Sequence, residues 1–476
     1  MALKKLTSTN QVINPHVKLA FNTITKKRVV YDNLFAYYKG EQPLRYSTER
    51  LAKAFDKIGV YFAENWISVI VDAVLDRISL KGFSFETDTQ NKEIFNELWN
   101  DLDLELVAED VHEAATITGE GYVIAWKEDT DDGEVTDVYF NDPRMCHVFY
   151  DPDRPRVKLF AAKMWTGTDS YPRMILYYPD RLEHYISSSK NTSDLQITTA
   201  NSYRLEPLGS LQNGIEPNDT GKIPVFHFRS GRVSGKREVD RTTISMQDAI
   251  NKLFADMMAS SEFSTWVQRV IISQADPGDL ENGAGVNWWI PAGDGKGQAA
   301  SVSELGHKDL SNFMDTMERL SQRLLIISRT PKHYAYQVGA VPSGDALLAM
   351  EAPLVKKVTK RISGYEPEWK ALASFLLELE GQTVPQKDII AVWAPVTSIQ
   401  PLASSQTTKT EVEAGIPLKV SLKRQGWKKD ELDELEAELK KERKLQSSLA
   451  EEELARMRAE DAQNNDAPNG DENAKQ

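Results

Sequence analysis

Apolar residues recur at helical spacing through the first quarter of the chain. The run from Arg28 to Tyr38 carries aromatic and aliphatic side chains on one face, and Lys39-Gly40 closes it. Ser47 and Thr48 are capping candidates for a second helix. A third covers Asn65–Ile78, with Trp66, Val69, Ile70, Ala73, Val74 and Arg77 at i, i+3 and i+4 steps, and Gly82 stops it before an extended Phe83–Phe85. Glu93–Trp99 and Leu104–Thr116 follow as helices. Residues 1–27 are polar and predict a flexible arm, so 28–118 is expected to be a mainly helical region.

The period then changes from helical to alternating. Tyr122–Trp126 and Val135–Phe140 are β-rich runs joined by Asp131-Asp132-Gly133, which predicts a hairpin. Val157–Trp165, Met174–Tyr178, Glu183–Ile186 and Ile223–Phe228 continue as strands, and the polar Ser187–Thr220 is expected to be a loop. Residues 119–235 therefore form a β-rich module. Helical spacing returns in two long segments. Glu238–Phe263 carries a stripe of Ile250, Leu253, Phe254, Met257 and Met258. Lys308–Ser328 carries Leu310, Phe313, Met314, Met317, Leu320 and Leu324. Each rod is on the order of 30–40 Å long. Between them lie the strands Val267–Ser273 and Val286–Ile290 in a Gly/Pro-rich stretch.

After the second rod comes an unusual segment. From His333 to Gly344 there is no Asp, Glu, Lys or Arg, although the chain as a whole is 27% charged. It is neutral, aromatic and turn-prone. Ser343 then caps a helix reaching Leu379, favoured by Asp345 in its first turn. Pro353 and Pro367 are expected to bend or interrupt that helix, since each removes a donor and crowds the preceding turn. Asp388–Val396 predicts a strand, Pro417–Gln425 and Lys428–Arg458 helices, and Asp461–Gln476 a disordered tail.

Composition narrows the function classes. The 476 residues give room for several structural regions with an ordinary hydrophobic content of 41%. The apolar run Trp66–Leu75 is too short for a membrane span, and the start of the chain has no hydrophobic signal core. The single cysteine, Cys146, fits a reducing compartment. A net charge of −14 argues against stable nucleic-acid binding, which needs Lys and Arg on phosphates; it leaves open brief contact with DNA, since an acidic wall repels the backbone and prevents adhesion, and charge alone does not decide between the two.

No catalytic constellation emerges. Cys146 and His147 are neighbours on a strand and so point to opposite faces. The histidines are scattered without metal-ligand spacing. Gly293–Gly297 (GDGKG) lacks the G-x-x-x-x-G-K-S/T order and the strand-to-helix setting of a phosphate loop. Asp72 and Asp76, one turn apart beside Arg77, predict a salt bridge rather than a metal pair. The lysines of Lys419–Lys429 precede an acidic helix and predict a solvated face. No cofactor is expected.

Several stretches together resemble one family, the portal proteins of tailed double-stranded DNA phages, in the form common in long-tailed phages of Gram-positive hosts. YYKGEQPL at Tyr37–Leu44 resembles its early turn. NWISVIVDAVLDRISLKGF at Asn65–Phe83 resembles its N-x-x-x-x-x-V-D-x-x-x-x-R-x-x-x-x-G-F element. ILYYPDRLEHY and GKIPVFHF look like its β-module strands. VNWWIPAGDGKG, LSNFMDTMERLSQRLLIISRTPKHY and PSGDALLAMEAPLVKKV then follow in the family's order. The PKHYAYQVGAV stretch is richer in aromatics than the family pattern.

The resemblance implies an α+β portal fold with long stem helices, a β-rich wing module, a small α/β clip insert and a helical crown. Residues 28–118 and 119–235 would be wing, 236–263 and 307–329 the stem helices, 264–306 the clip, 330–344 the tunnel loop, 345–400 a bent wing helix and strand, and 401–460 the crown. It implies a ring of about twelve copies at one capsid vertex, through which DNA is packaged and ejected. It implies the terminase large subunit, head–tail connector proteins, and capsid and scaffold proteins as partners, with duplex DNA passing without sequence specificity and no membrane contact. The location would be the virion, after assembly in the host cytoplasm. By the same resemblance, His333, Tyr334, Tyr336, Gln337, Val338, Val341, Ser343 and Gly344 face the channel. Asp276, Asp279, Trp288, Trp289, Asp294 and Lys296 meet the motor and connector. Ile250, Leu253, Met257, Phe313, Met317 and Leu320 shape the stem. Another head–tail adaptor or scaffold-type protein is the alternative structural reading, and a DNA-processing enzyme is the rival from a different class.

Overall fold

The computed structural model describes residues 14–43, 63–85, 89–130, 133–190, 199–207, 213–231, 235–265, 269–273, 288–291, 301–304, 309–334, 343–397, 401–424, 432, 435–449, 451 and 455. The chain divides into two compact units, Met1–Val396 and Thr397–Gln476.

The first unit opens with α1 (Pro15–Lys39), which corrects the expectation of a flexible arm through residue 27. Asn14 caps it by accepting from the His16 amide at 3.0 Å, Pro15 supplies a preset first position, and Gly40 ends it in the left-handed region at φ 74°. Val17, Ala20 and Ile24 pack on the β-module, and Tyr31, Leu34, Phe35 and Tyr37 pack on the helices that follow. This burial holds the helix despite its polar outer face. The helix expected after Ser47 and Thr48 lies outside the described residues.

Next come α2 (Trp66–Leu75), β1 (Leu80–Phe85), α3 (Thr89–Asp101) and α4 (Leu104–Thr118). The β-module runs through β2 (Glu120–Thr130), β3 (Gly133–Asn141), β4 (Cys146–Tyr150), β5 (Lys158–Thr166), β6 (Pro172–Tyr177), β7 (Arg181–Ser187), β8 (Tyr203–Leu205), β9 (Ile215–Pro217) and β10 (Val225–Arg229). The expected hairpin is β2–β3, with Thr130 opposite Gly133. The segment expected to be a loop carries β8 and β9, both paired to β7. Strands β4 to β8 form one antiparallel sheet in chain order, and β10-β2-β3 forms another.

Strand β2 is buried on both faces, as period-2 alternation allows. Tyr122 and Ile124 pack with Cys146, Val148, Ala161 and Tyr177 between the two sheets. Val123 and Ala125 pack on the opposite side with Phe226, Phe228 and Trp369.

Two rods follow, α5 (Arg241–Thr265) and α6 (Ser311–Ser328). The described residues between them are the strands β11 (Arg269–Ser273), β12 (Trp288–Pro291) and β13 (Ser301–Glu304), in the order β12-β11-β13. Strand β11 is parallel to β12 and antiparallel to β13, with Arg269 opposite Glu304.

Of the expected bend or interruption at Pro353 and Pro367, the interruption does not occur: helix α7 (Gly344–Leu379) runs through both prolines. Both prolines are exposed, as are residues 349 and 363, whose carbonyls lose a helical partner, so the lost bonds fall on the solvent side of the helix. The opposite face of α7 carries Leu354, Val358, Tyr365, Trp369, Leu372 and Leu376 into the main core with α4, β2 and β10. Strand β14 (Ile389–Trp393) pairs with β1. The second unit contains α8 (Pro401–Glu413), which periodicity did not mark although the resemblance implied helices over 401–460, and α9 (Leu418–Arg424). Residues 435–449 are also helical. In this unit Lys419 pairs with Glu436 at 3.2 Å, so the lysine patch and the acidic helix neutralise each other in part.

One contact between backbones joins the β-module to the first rod. Gly119, at φ +95° after α4, lies so close to Gly235 that a Cβ on Gly235 would stand 1.4 Å from the Gly119 carbonyl oxygen. Only glycine fits there.

Candidate functional site

The expected functional elements converge where the two rods begin and end. Asp240 starts α5: its Oδ1 accepts from the amides of Thr242 and Thr243 at 2.8 and 2.9 Å, and its own amide donates to Thr243 Oγ1 at 2.9 Å. Arg329 ends α6 in the left-handed region at φ 61°. Glu238 lies just before α5, and Ser328 is the last residue of α6. Lys357 of α7 touches both: its Nζ pairs with Glu238 Oε2 at 3.0 Å and donates to the Ser328 carbonyl at 2.6 Å. The start of one rod and the end of the other therefore meet at one side chain, and the rods run in opposite senses.

Arg361 completes the cluster, with Nη2 2.8 Å from Glu238 Oε1. Burial pulls the Lys357 ammonium below the ordinary lysine range, and Glu238 acts against that shift. A carboxylate shared by two buried cations is a geometric lock rather than a reaction centre.

Polar pegs fix the same end of α5. Tyr37 donates to Asp248 Oδ1 at 2.7 Å. Gln247 accepts from the Trp66 amide at 2.9 Å and donates to the Glu64 carbonyl at 2.6 Å. Asn251 accepts from the Glu64 amide at 3.1 Å. The chain ahead of α2 thus has its main-chain groups satisfied by α5 side chains.

Of the predicted stem residues, Ile250 is buried with Leu324 and Leu325, and Leu320 packs on that cluster half-buried. Met317 is buried, whereas Leu253, Met257 and Phe313 are half-buried. Met314, predicted on the packed stripe, is 61% exposed. Trp288 and Trp289 stand on β12 opposite Val270 and Ile271 of β11. Asp276, Asp279, Asp294 and Lys296 lie outside the described residues, as do Tyr336, Gln337, Val338 and Val341.

The flanks of the neutral segment are described. His333 and Tyr334 lie in a 3-10 turn, Lys332–Tyr334, and Ser343 caps α7 with Gly344 as its first residue. Arg77, at the end of α2, donates to the Tyr334 hydroxyl at 2.7 Å and pairs with Glu351 of α7 at 3.0 Å. Sequence reasoning expected a salt bridge at Asp72, Asp76 and Arg77; the structure gives Arg77 the partner Glu351, which the sequence did not single out, and Glu238, Lys357 and Arg361 were missed as well. Asp72 accepts from the Tyr38 hydroxyl at 3.0 Å, in place of the salt bridge expected beside Arg77.

The other candidates for chemistry resolve as structure. Cys146 is buried, and burial pushes its thiol up, opposite to the needs of a nucleophile. His147 Nδ1 lies 3.0 Å from both Lys27 Nζ and the Tyr122 hydroxyl, and burial lowers its pKa to about 3. Glu120 is held in its charged form against a desolvation cost by His227 and Lys27, whose Nζ is 2.6 Å away, and it also accepts from Tyr31. Among the described residues no cluster of His, Cys, Asp or Glu could hold a metal, and no helix is long and apolar enough to cross a membrane.

Comparison with known proteins adds the family. No curated protein matches the chain. Among solved structures, the virion of a native gene transfer agent particle aligns at a TM-score of 0.40 and 11% identity, covering 82% of this chain and 94% of that one. The neck of the native particle, computed with C12 symmetry, aligns at 0.41 and 11%, covering 74% and 84%. The model of the SPP1 Gp6-like phage portal proteins matches residues 21–466. That match takes in both rods, the segment between them, the β-module and α7, and the chain accordingly belongs to the SPP1 Gp6-like phage portal proteins, a structural and not an enzymatic family.

Proposed function

We propose that copies of this portal protein close into a ring of about twelve at one capsid vertex and that the genome enters and leaves through its centre. In this reading α5 and α6 are the stem, 264–306 is the clip, 330–344 is the tunnel loop, the β-module with α7 is the wing, and 401–460 is the crown. The protein is a virion component assembled in the host cytoplasm.

The observation that carries the reading is the apolar surface that α6 leaves uncovered. Met314, toward the start of the helix, and Ile326 and Ile327, near its end, are 61%, 56% and 53% exposed, while Leu324 and Leu325 pack on Ile250 of α5. A neighbouring stem covers such residues in a ring. The net charge of −14 supports a conduit that repels phosphate, and the neutral 333–344 segment supports weak contact with duplex of any sequence.

The clip, with Asp276, Asp279, Trp288, Trp289, Asp294 and Lys296, is where the terminase large subunit and later the head–tail connector dock. ATP hydrolysis belongs to the terminase. Capsid and scaffold proteins meet the outer parts of the ring. Electron micrographs of the purified protein test the assembly: rings of about twelvefold symmetry with a central hole are expected. A stable monomer under all conditions overturns the reading.

A further inference from the structure

Arg77 binds three separate segments with one guanidinium. Its Nη2 donates to the Tyr334 hydroxyl at 2.7 Å and pairs with Glu351 Oε2 at 3.0 Å, while Nη1 donates to the Val396 carbonyl at 2.9 Å. The second oxygen of Glu351 lies 3.5 Å from His333 Nε2. His333 and Tyr334 come immediately before residues 335–342, and Glu351 is on the helix that starts just after them. Both flanks of that segment are thus fastened to one side chain.

The site is built for this. The Arg77 and Glu351 side chains are only 12% and 11% exposed, so salt and water screen the pair weakly. The planar fork reaches the three acceptors from two separated nitrogens, Nη1 and Nη2, whereas a lysine would have to gather them around one. An arginine needed only to end α2 would find acceptors nearby in sequence. Tyr334 and Val396 are instead 257 and 319 residues away.

We propose that Arg77 is the positioning residue of the tunnel loop: it closes the base of the loop and fixes where residues 335–342 begin and end relative to α2 and α7. This deepens the reading of 330–344 as the loop facing the channel and rests on it. Arg77 itself need not touch DNA.

Limited proteolysis of purified rings tests the proposal, with chymotrypsin cutting at Tyr336. Cleavage there reports release of the two flanks, and cleavage after Leu280 serves as an internal control. Arg77→Ala is expected to raise the rate at 335–342 about ten-fold and leave the control site unchanged, with Arg77→Lys between the two. Equal loop cleavage in Arg77→Ala and the parent protein overturns the proposal, and so does an equal rise at both sites. Should Arg77→Ala fail to fold, Tyr334→Phe combined with Glu351→Gln weakens the clamp and keeps the arginine. Faster loop cleavage supports the clamp, and an unchanged rate overturns it. Faster cleavage in a phage that packages normal amounts of DNA keeps the clamp and removes the channel role of the loop.

Discussion

Lys357 Nζ sits 3.0 Å from Glu238 Oε2 with the two side chains 11% and 7% exposed, and it holds α7 to the lead-in of the first rod. Because the same ammonium also donates to the Ser328 carbonyl, one residue sets the spacing of both rods. Replacing it leaves Glu238 with Arg361 alone and leaves a buried carbonyl unpaired.

Lys357→Met is therefore expected to destabilise the chain by about 1–3 kcal/mol, the range for leaving a buried polar group unsatisfied, because Arg361 still compensates Glu238. Glu238→Gln, which leaves two cations facing each other, is expected to cost at least as much. Urea unfolding measures both. A loss under about 1 kcal/mol in each would mean that the cluster does not hold the rods.

Stability is expected to fall with acid before the carboxylates titrate. His112 and His147 are both kept neutral by burial, with pKa values near 3, and His112 Nε2 accepts from Trp369 Nε1 at 3.0 Å. The unfolded chain protonates them near pH 6.5. Their contribution is therefore complete above that pH and declines below it, by about 1.4 kcal/mol per pH unit for each histidine down to the folded value. Unfolding measured from pH 7 to 5 should show this slope. His112→Gln, which keeps an acceptor for Trp369, should reduce it.

Val338→Lys together with Val341→Lys places two cations per subunit in the otherwise neutral segment. Ring images are expected to stay normal while the DNA packaged per particle falls, since a ring of lysines holds passing phosphates. Normal packaging by the double variant would show that neutrality is not required.

Removing Ser264–Gly306 and bridging the rods with a short glycine linker is expected to abolish terminase binding without loosening the rest of the chain. Arg269 and Glu304 are paired across β11 and β13, so both ends of the insert lie close together and a short bridge can span them. Pull-down of terminase and a thermal melt report on the two effects separately. Binding at parental strength would refute the docking assignment.

Periodicity located the rods but misjudged parts of their faces. On α6 it placed Met314 inward, where the structure buries Leu325 instead. On α5 it marked only the apolar stripe from Ile250 to Met258. Gln247, Asp248 and Asn251 are in fact buried because they bond Glu64, Trp66 and Tyr37, and a single sequence does not display partners that distant. The α1 start had local signals in Asn14, Pro15 and the Val17–Ala20–Ile24 spacing, outweighed by the polar residues among them. The outward prolines of α7 show the same limit: whether a proline interrupts a helix depends on which way its turn faces. The family motif made Arg77 visible, but its partners became visible only with the fold.

The bare meeting of Gly119 and Gly235 gives the portal subunit a mechanical property. Side chains normally form a compliant cushion between packed elements, and here there is none. The segment that leads into the first rod cannot shift toward the end of α4 without a collision of main chain on main chain, so the spacing of these two turns is fixed with no side chain between them to yield.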